Sequence, residues 1–280
     1  MRKIIAVYIA GAALMGFSSP GMTADRPLID AHIHYSHDAW EGLPPAKAIE
    51  LLRKTGLKRA FVSSSSDKGT QLLYKEAPDL IVPVLRPYRK RGELGSWMHD
   101  NTVIQLLESR LAKYKYAGIG EFHAYGDDVE TKVLRSVISL AKKYGIFLHS
   151  HSDAAVIHGI FKQNPEARVL WAHSGFTDPG EIRVMLKKYR NLWADLAFRE
   201  DHAMDGKVDK AWRALFEEFP NRFMIGTDTF APERWFYVIE HATWSRGWLN
   251  DLPNDLAAKI AWRNALTLSD WALKKKSVKN

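Results

Sequence analysis

Histidine and carboxylate are the side chains that hold a borderline divalent cation, and this chain repeats them in a pattern. His32 and His34 stand one residue apart in LIDAHIHYS, residues 28–36. Glu121 and His123 follow in GIGEFH, His149 and His151 in FLHSH, His173 in VLWAHSG and Asp228 in FMIGTD. Neutral imidazole and carboxylate bind zinc, manganese, iron or nickel at roughly 2.0–2.2 Å. Residues spaced by two share one side of a strand, so His32 and His34 can grip one ion. Glu121, on a middle strand, could bridge that ion to a second one held by His149 and His173. Two such ions would polarise a substrate and generate hydroxide at neutral pH. The chain has no cysteine, which excludes thiolate sites, disulfides and a cysteine nucleophile.

Each of these residues closes a short apolar, β-branched run. Eight runs are legible, near 27–34, 59–65, 81–87, 117–123, 145–151, 168–174, 191–197 and 222–228. Between them lie segments of helical period such as AKAIELLRKTG, DNTVIQLLESRLAKYKY and VETKVLRSVISLAKKYG, two of them ending on a Gly stop. Eight strands alternating with helices imply parallel pairing and predict a single-domain α/β fold, a (β/α)8 TIM barrel. The rival open sheet wants a Gly-rich phosphate turn after the first strand, and HIHYSHD is not one. Reactive groups in a barrel sit at the C-terminal strand ends. A single His there is often just a hydrogen-bonded loop residue, but here such residues recur at one mouth.

Other polar residues have weaker assignments. Arg86 ends the third run and could hold a substrate carboxylate or phosphate, or pair with Asp195 or Glu121. His123 and His151 lie one pleat repeat beyond the predicted ligands, placed to polarise a carbonyl or to hold loops. His158 and His241 fall in helical patterns, His99 and His202 in polar loops, and His37 just past the first strand.

The N-terminus reads as a secretory signal peptide over residues 1–24. Arg2 and Lys3 precede an apolar stretch from Ile4 to Phe17, and small residues lead to Ala24. That stretch is short of the about 20 residues a membrane span needs, so no stable insertion is expected after cleavage. The barrel then occupies residues 25–280 and the protein is expected in the periplasm or secreted. The formal charge of +8 is not gathered in a basic stripe, and nucleic acid is not the expected partner.

With these residues in this order the chain resembles the amidohydrolase superfamily of metal-dependent barrels, and within it the amidohydrolase 2 branch. IDAHIHY is similar to the first-strand H-x-H motif, FLHSH to the fifth-strand histidine and VLWAHSG to the sixth-strand AH-x-G. FMIGTD is similar to the eighth-strand G-[ST]-D, and RNALTLSDW to the helix that follows it. The resemblance implies His32, His34, His149, His173 and Asp228 as metal ligands. Many members carry a carboxylated lysine on strand four; here Glu121 stands there, as in some relatives with two metals, while other members of the branch have no ligand there and hold one. The implied cofactor is divalent, zinc by expectation, with two ions expected rather than one. Asp228 would take the proton of the attacking water and pass it to the leaving group, with His151 and Arg86 assisting.

The expected activity is hydrolysis of an ester, lactone or amide bond in a small molecule. A metal-dependent decarboxylase acting on a carboxylic acid would use the same ligands. A nuclease-like phosphodiesterase and a non-catalytic binding barrel are the other readings.

Overall fold

Residues 26–274 are described by a computed structural model of the protein. The expected signal peptide lies outside the described residues. Eight strands form one sheet, β1 (Leu28–Ile33), β2 (Leu57–Val62), β3 (Ile81–Leu85), β4 (Gly118–Ala124), β5 (Phe147–Ser152), β6 (Val169–Trp171), β7 (Leu192–Asp195) and β8 (Phe223–Met224). Each pairs in parallel with the next. The seam between the last and first is closed by backbone bonds from Ala31 N to Ile225 O (2.8 Å) and from Asp228 N to His32 O (2.7 Å). The result is a nearly closed eight-stranded α/β barrel.

Helices α1 (Pro45–Lys54), α2 (Asp67–Glu76), α3 (Thr102–Lys113), α4 (Lys132–Tyr144), α5 (Ala154–Gln163), α6 (Pro179–Lys188), α7 (Lys210–Glu218) and α8 (Val238–Leu249) follow the strands; α9 (Asn254–Ala258) and α10 (Asn264–Lys274) end the described chain. Asp153, Asp178 and Asp209 cap α5, α6 and α7 by accepting backbone N–H bonds in the first turn. Gly145 ends α4 at φ +62°, the left-handed geometry that favours glycine. α10 packs Ala265, Leu268 and Ala272 against the inward layer of Ile29, Phe61, Phe147 and Leu170, so it seals the end of the barrel opposite the site.

Two irregularities aim the site residues. The β1–β2 pairing shifts register between Asp30 and Ile33, where His32 lies. The β4–β5 pairing shifts between Gly120 and Phe122, which leaves Glu121 as the extra residue. Such bulges re-aim side chains near functional sites. Gly120 has φ +136°, and a Cβ there would fall 2.1 Å from the carbonyl oxygen of His149.

Candidate metal centre and active site

Three histidines turn the same nitrogen toward the barrel axis. His34 donates from Nδ1 to the Ser63 carbonyl (2.6 Å), and His173 from Nδ1 to the Ala197 carbonyl (3.0 Å). His32 Nδ1 lies 3.2 Å from Asp195 Oδ2. A carbonyl accepts but never donates, and an ionised carboxylate does the same, so each Nδ1 carries the proton and each Nε2 keeps its lone pair. Those Nε2 atoms meet two carboxylates. Glu121 lies 3.5 Å from His32, 3.1 Å from His34 and 3.4 Å from His173. Asp228 lies 3.9, 3.3 and 3.8 Å from the same three nitrogens.

This donor set fits a divalent cation. His32 Nε2 and His34 Nε2 are only 3.1 Å apart, too close for two lone pairs without a positive charge between them. Asp228 Oδ1 is buried and accepts no hydrogen bond, a cost a cation would remove. Burial alone would lower the His32 pKa, but the carboxylates of Asp228, Asp195 and Glu121 raise it well above its ordinary value. Its neighbour His34 is lowered by burial and by Arg86. The two carboxylates that face these three nitrogens call for positive charge at this point.

Asp195 is the organiser of the cluster. It is fully buried and accepts from His149 Nε2 (3.0 Å), from His173 N (2.9 Å) and from His32 Nδ1. Burial would push its carboxyl up, yet the charge of His32 and the bonds from His149 and His32 hold it below the usual carboxylate range. His149 therefore sits beside the cluster with its Nε2 turned to Asp195, and burial lowers its pKa to about 4.

Around Glu121 a second layer forms. Arg86 Nη2 donates to Oε2 at 2.8 Å and Nε to the backbone carbonyl at 3.2 Å. His151 donates from Nδ1 to Oε1 at 2.9 Å and stacks on His123 with centroids 4.0 Å apart. The Tyr88 hydroxyl accepts from the His123 backbone N–H (2.6 Å) and donates to His123 Nδ1 (2.9 Å). A cavity of about 520 Å³ opens above, lined by Arg86, Tyr88, Lys90, Glu121, His123, His151, His173 and Asp228 and walled by Leu94, Phe176, Phe198 and Phe230. Positive φ angles at His173 (54°), Phe176 (50°), Phe198 (55°) and Asp228 (56°) cluster at this mouth, where backbone strain is commonly found in functional sites.

All six expected ligands thus lie at one end of the barrel, and Arg86 takes the ion pair with Glu121 that was one of its alternatives. Tyr88 is an addition, and Asp195, read from the sequence as a possible partner of Arg86, instead joins Tyr88 in fixing histidine tautomers. His202, expected in a polar loop, is instead buried, with its ring against Trp248 (4.5 Å) and Trp244 (5.4 Å). His37 and His241 bond to Ser65 O and Thr227 Oγ1, outside the cluster.

The family model described as Amidohydrolase matches residues 86–268, a span that holds Glu121, His149, His173 and Asp228 but not His32 or His34. No curated protein matches the chain. Among solved structures, an uncharacterized TIM-barrel protein from Bordetella bronchiseptica is similar at 15% identity and TM-score 0.58, covering 88% of this chain and 99% of its own. A protein named a probable 2-pyrone-4,6-dicarboxylic acid hydrolase, from Acinetobacter baumannii with citric acid bound, is similar at 13% identity and TM-score 0.60, covering 86% and 98%. An amidohydrolase from Burkholderia multivorans is similar at 12% identity and TM-score 0.54, covering 88% and 99%. These likenesses are in fold.

Proposed function

Because the chain belongs to the amidohydrolase family, we propose that it is a metal-dependent hydrolase that opens an ester, lactone or amide bond of a small molecule. The observation that carries this reading is the convergence of three Nε2 lone pairs on Glu121 and Asp228, with every Nδ1 proton already committed.

His32, His34, His173 and Asp228 would hold one divalent ion, with Glu121 beside them. The turn of His149 Nε2 toward Asp195 favours one ion over two. When bound, such an ion polarises a carbonyl and makes water more acidic. Asp228, whose Oδ1 is free of hydrogen bonds, accepts the proton of the attacking water and delivers it to the leaving group. Arg86 holds Glu121 in place. His151, with its Nδ1 proton given to Glu121, keeps Nε2 as an acceptor at the cavity. The aromatic wall of Phe176, Phe198 and Phe230 offers an apolar surface for the organic part of a substrate. Export through residues 1–24 belongs to the same proposal.

The test combines metal content with turnover. Elemental analysis of the purified protein should find about one ion per chain. A panel of lactones, esters and amides should yield a substrate whose hydrolysis falls ~10²–10⁴-fold in Asp228→Asn. Metal-free protein with full activity, or an unimpaired Asp228→Asn, would sink the reading. Carbon dioxide release from carboxylic acids, with no hydrolysis of the panel, would replace it with a decarboxylase.

A further inference from the structure

At the opposite end of the barrel, three successive strands begin on polar residues. Arg168 immediately precedes β6, Arg190 and Asn191 precede β7 and Arg222 precedes β8. Parallel register brings them to one rim, where they line a cleft of about 500 Å³ with Glu166 and Trp271. Most described arginines reach a carboxylate, as Arg53 does with Asp79, Arg59 with Asp270, Arg183 with Glu218 and Arg213 with Asp251. Here the balance fails. Glu166 is the one acid lining the cleft, and it is engaged by Arg190 at 3.1 Å.

Arg168 and Arg222 are both half-buried and reach no carboxylate among the described residues. The Arg168 guanidinium lies over Trp271 (4.1 Å) and Trp193 (5.7 Å), and donates no hydrogen bond among the described residues. Arg222 lies over the same Trp193 (5.5 Å) and donates to the Leu192 carbonyl (3.3 Å). Stacking holds each guanidinium by its face and leaves the edge, where its N–H groups lie, for a ligand. Burial lowers both arginine pKa values, and Arg190 lowers that of Arg168 further. With Glu166 taken by Arg190, the two partly desolvated guanidinium groups leave an excess of positive charge in the cleft, which is costly unless an anion completes it.

We propose that this cleft binds a small phosphate-type dianion, held by the guanidinium edges of Arg168 and Arg222, with Arg190 and the Asn191 amide at the rim. Guanidinium edges match phosphate oxygens in bidentate geometry. The site is separate from the metal centre and does not depend on the hydrolase reading.

The experiment titrates inorganic phosphate into the purified full-length protein by calorimetry, at about 0.15 M salt so that diffuse attraction is screened. Indole fluorescence follows the same titration, because Trp193 and Trp271 stack on the arginines. Saturable binding that weakens at least tenfold in both Arg168→Gln and Arg222→Gln supports the site. Neither residue has an ion-pair partner to orphan among the described residues, and matching thermal unfolding midpoints confirm that the variants fold. Vesicles carrying phosphatidic acid form a parallel arm that separates a lipid headgroup from a free phosphate. Arginine-dependent binding in either arm supports the proposal. No binding in both arms, or binding indifferent to both substitutions, overturns it.

Discussion

Arg86 and Glu121 form a buried ion pair, Nη2 to Oε2 at 2.8 Å, with both side chains less than a tenth exposed. Removing one partner of such a pair leaves the other charge desolvated, at a cost of about 3–5 kcal/mol. Arg86→Met should therefore destabilise the metal-free protein by about that amount. Arg86→Met combined with Glu121→Gln should recover part of the loss, because neither charge is then stranded. Urea unfolding of the single variants and the pair measures this coupling, and additive losses would show that the two side chains do not act together.

Asp195 should act on metal affinity without touching the ion. Asn at this position can present an N–H to His32 Nδ1 and His149 Nε2, which undoes the tautomers that the carboxylate imposes. We expect Asp195→Asn to weaken binding ~10–100-fold, the range seen when such orienting carboxylates are removed. Competition with a chromogenic chelator reads the change, and an unchanged affinity would reject the role.

Stability should fall in mild acid. Burial lowers the pKa of His202 and of His241 to about 4, below the unfolded value of about 6.5. The unfolded chain therefore binds more protons between these values, so stability is complete above about pH 6.5 and drains away toward pH 4, by up to about 3 kcal/mol per histidine. Denaturant unfolding at steps across that window should show the decline. His202→Phe, which keeps a ring among Trp212, Trp244 and Trp248, should flatten it, and an equally steep decline in that variant would contradict the assignment.

Gly120→Ala should disturb the site through the backbone. A Cβ at this position meets the His149 carbonyl at 2.1 Å and would sit on a backbone at φ +136°, so β4 must move, carrying Glu121 with it. About 1–3 kcal/mol of strain is expected, together with reduced metal content. Gly42→Ala, with nothing within 4 Å of the added carbon, should stay within about 0.5 kcal/mol of the parent. Equal behaviour of the two variants would mean that the bulge at Glu121 yields without cost.

Much of this architecture was legible from residue type and order. Strands reveal themselves by β-branched runs, and a ligand-type residue at the end of five of the eight runs marks the mouth of a barrel. All six expected ligands fall there. The helix α2 was not legible, because DKGTQLLYKE carries a glycine in its first turn; a Cβ on Gly69 would lie 1.9 Å from the Tyr35 carbonyl, so packing decides that residue. Tautomers were also beyond reach, since the acceptors for His34 and His173 are backbone carbonyls at Ser63 and Ala197, and no side-chain pattern reports them. His202 misled for a related reason. Its aromatic neighbours arrive from α7 and α8, while its local sequence is REDHAMD.

The seam of the barrel has a further consequence. His34 N donates to Thr229 Oγ1 across 195 positions of sequence, and the Asp30 carboxylate accepts from Thr227 N at 3.1 Å across the same join. Residues proposed to share an ion thus come from opposite ends of the barrel chain, His32 and His34 from the first strand and its end and Asp228 from beyond the last. An ion bound there would be a clasp as well as a reagent. It could be captured only after the ring had shut, and its affinity would be a direct gauge of closure, since every ion bound to the native state adds to the work of opening it. Starved of metal, the molecule should gape first at this join, and should yield there to a protease before any other part of the wall.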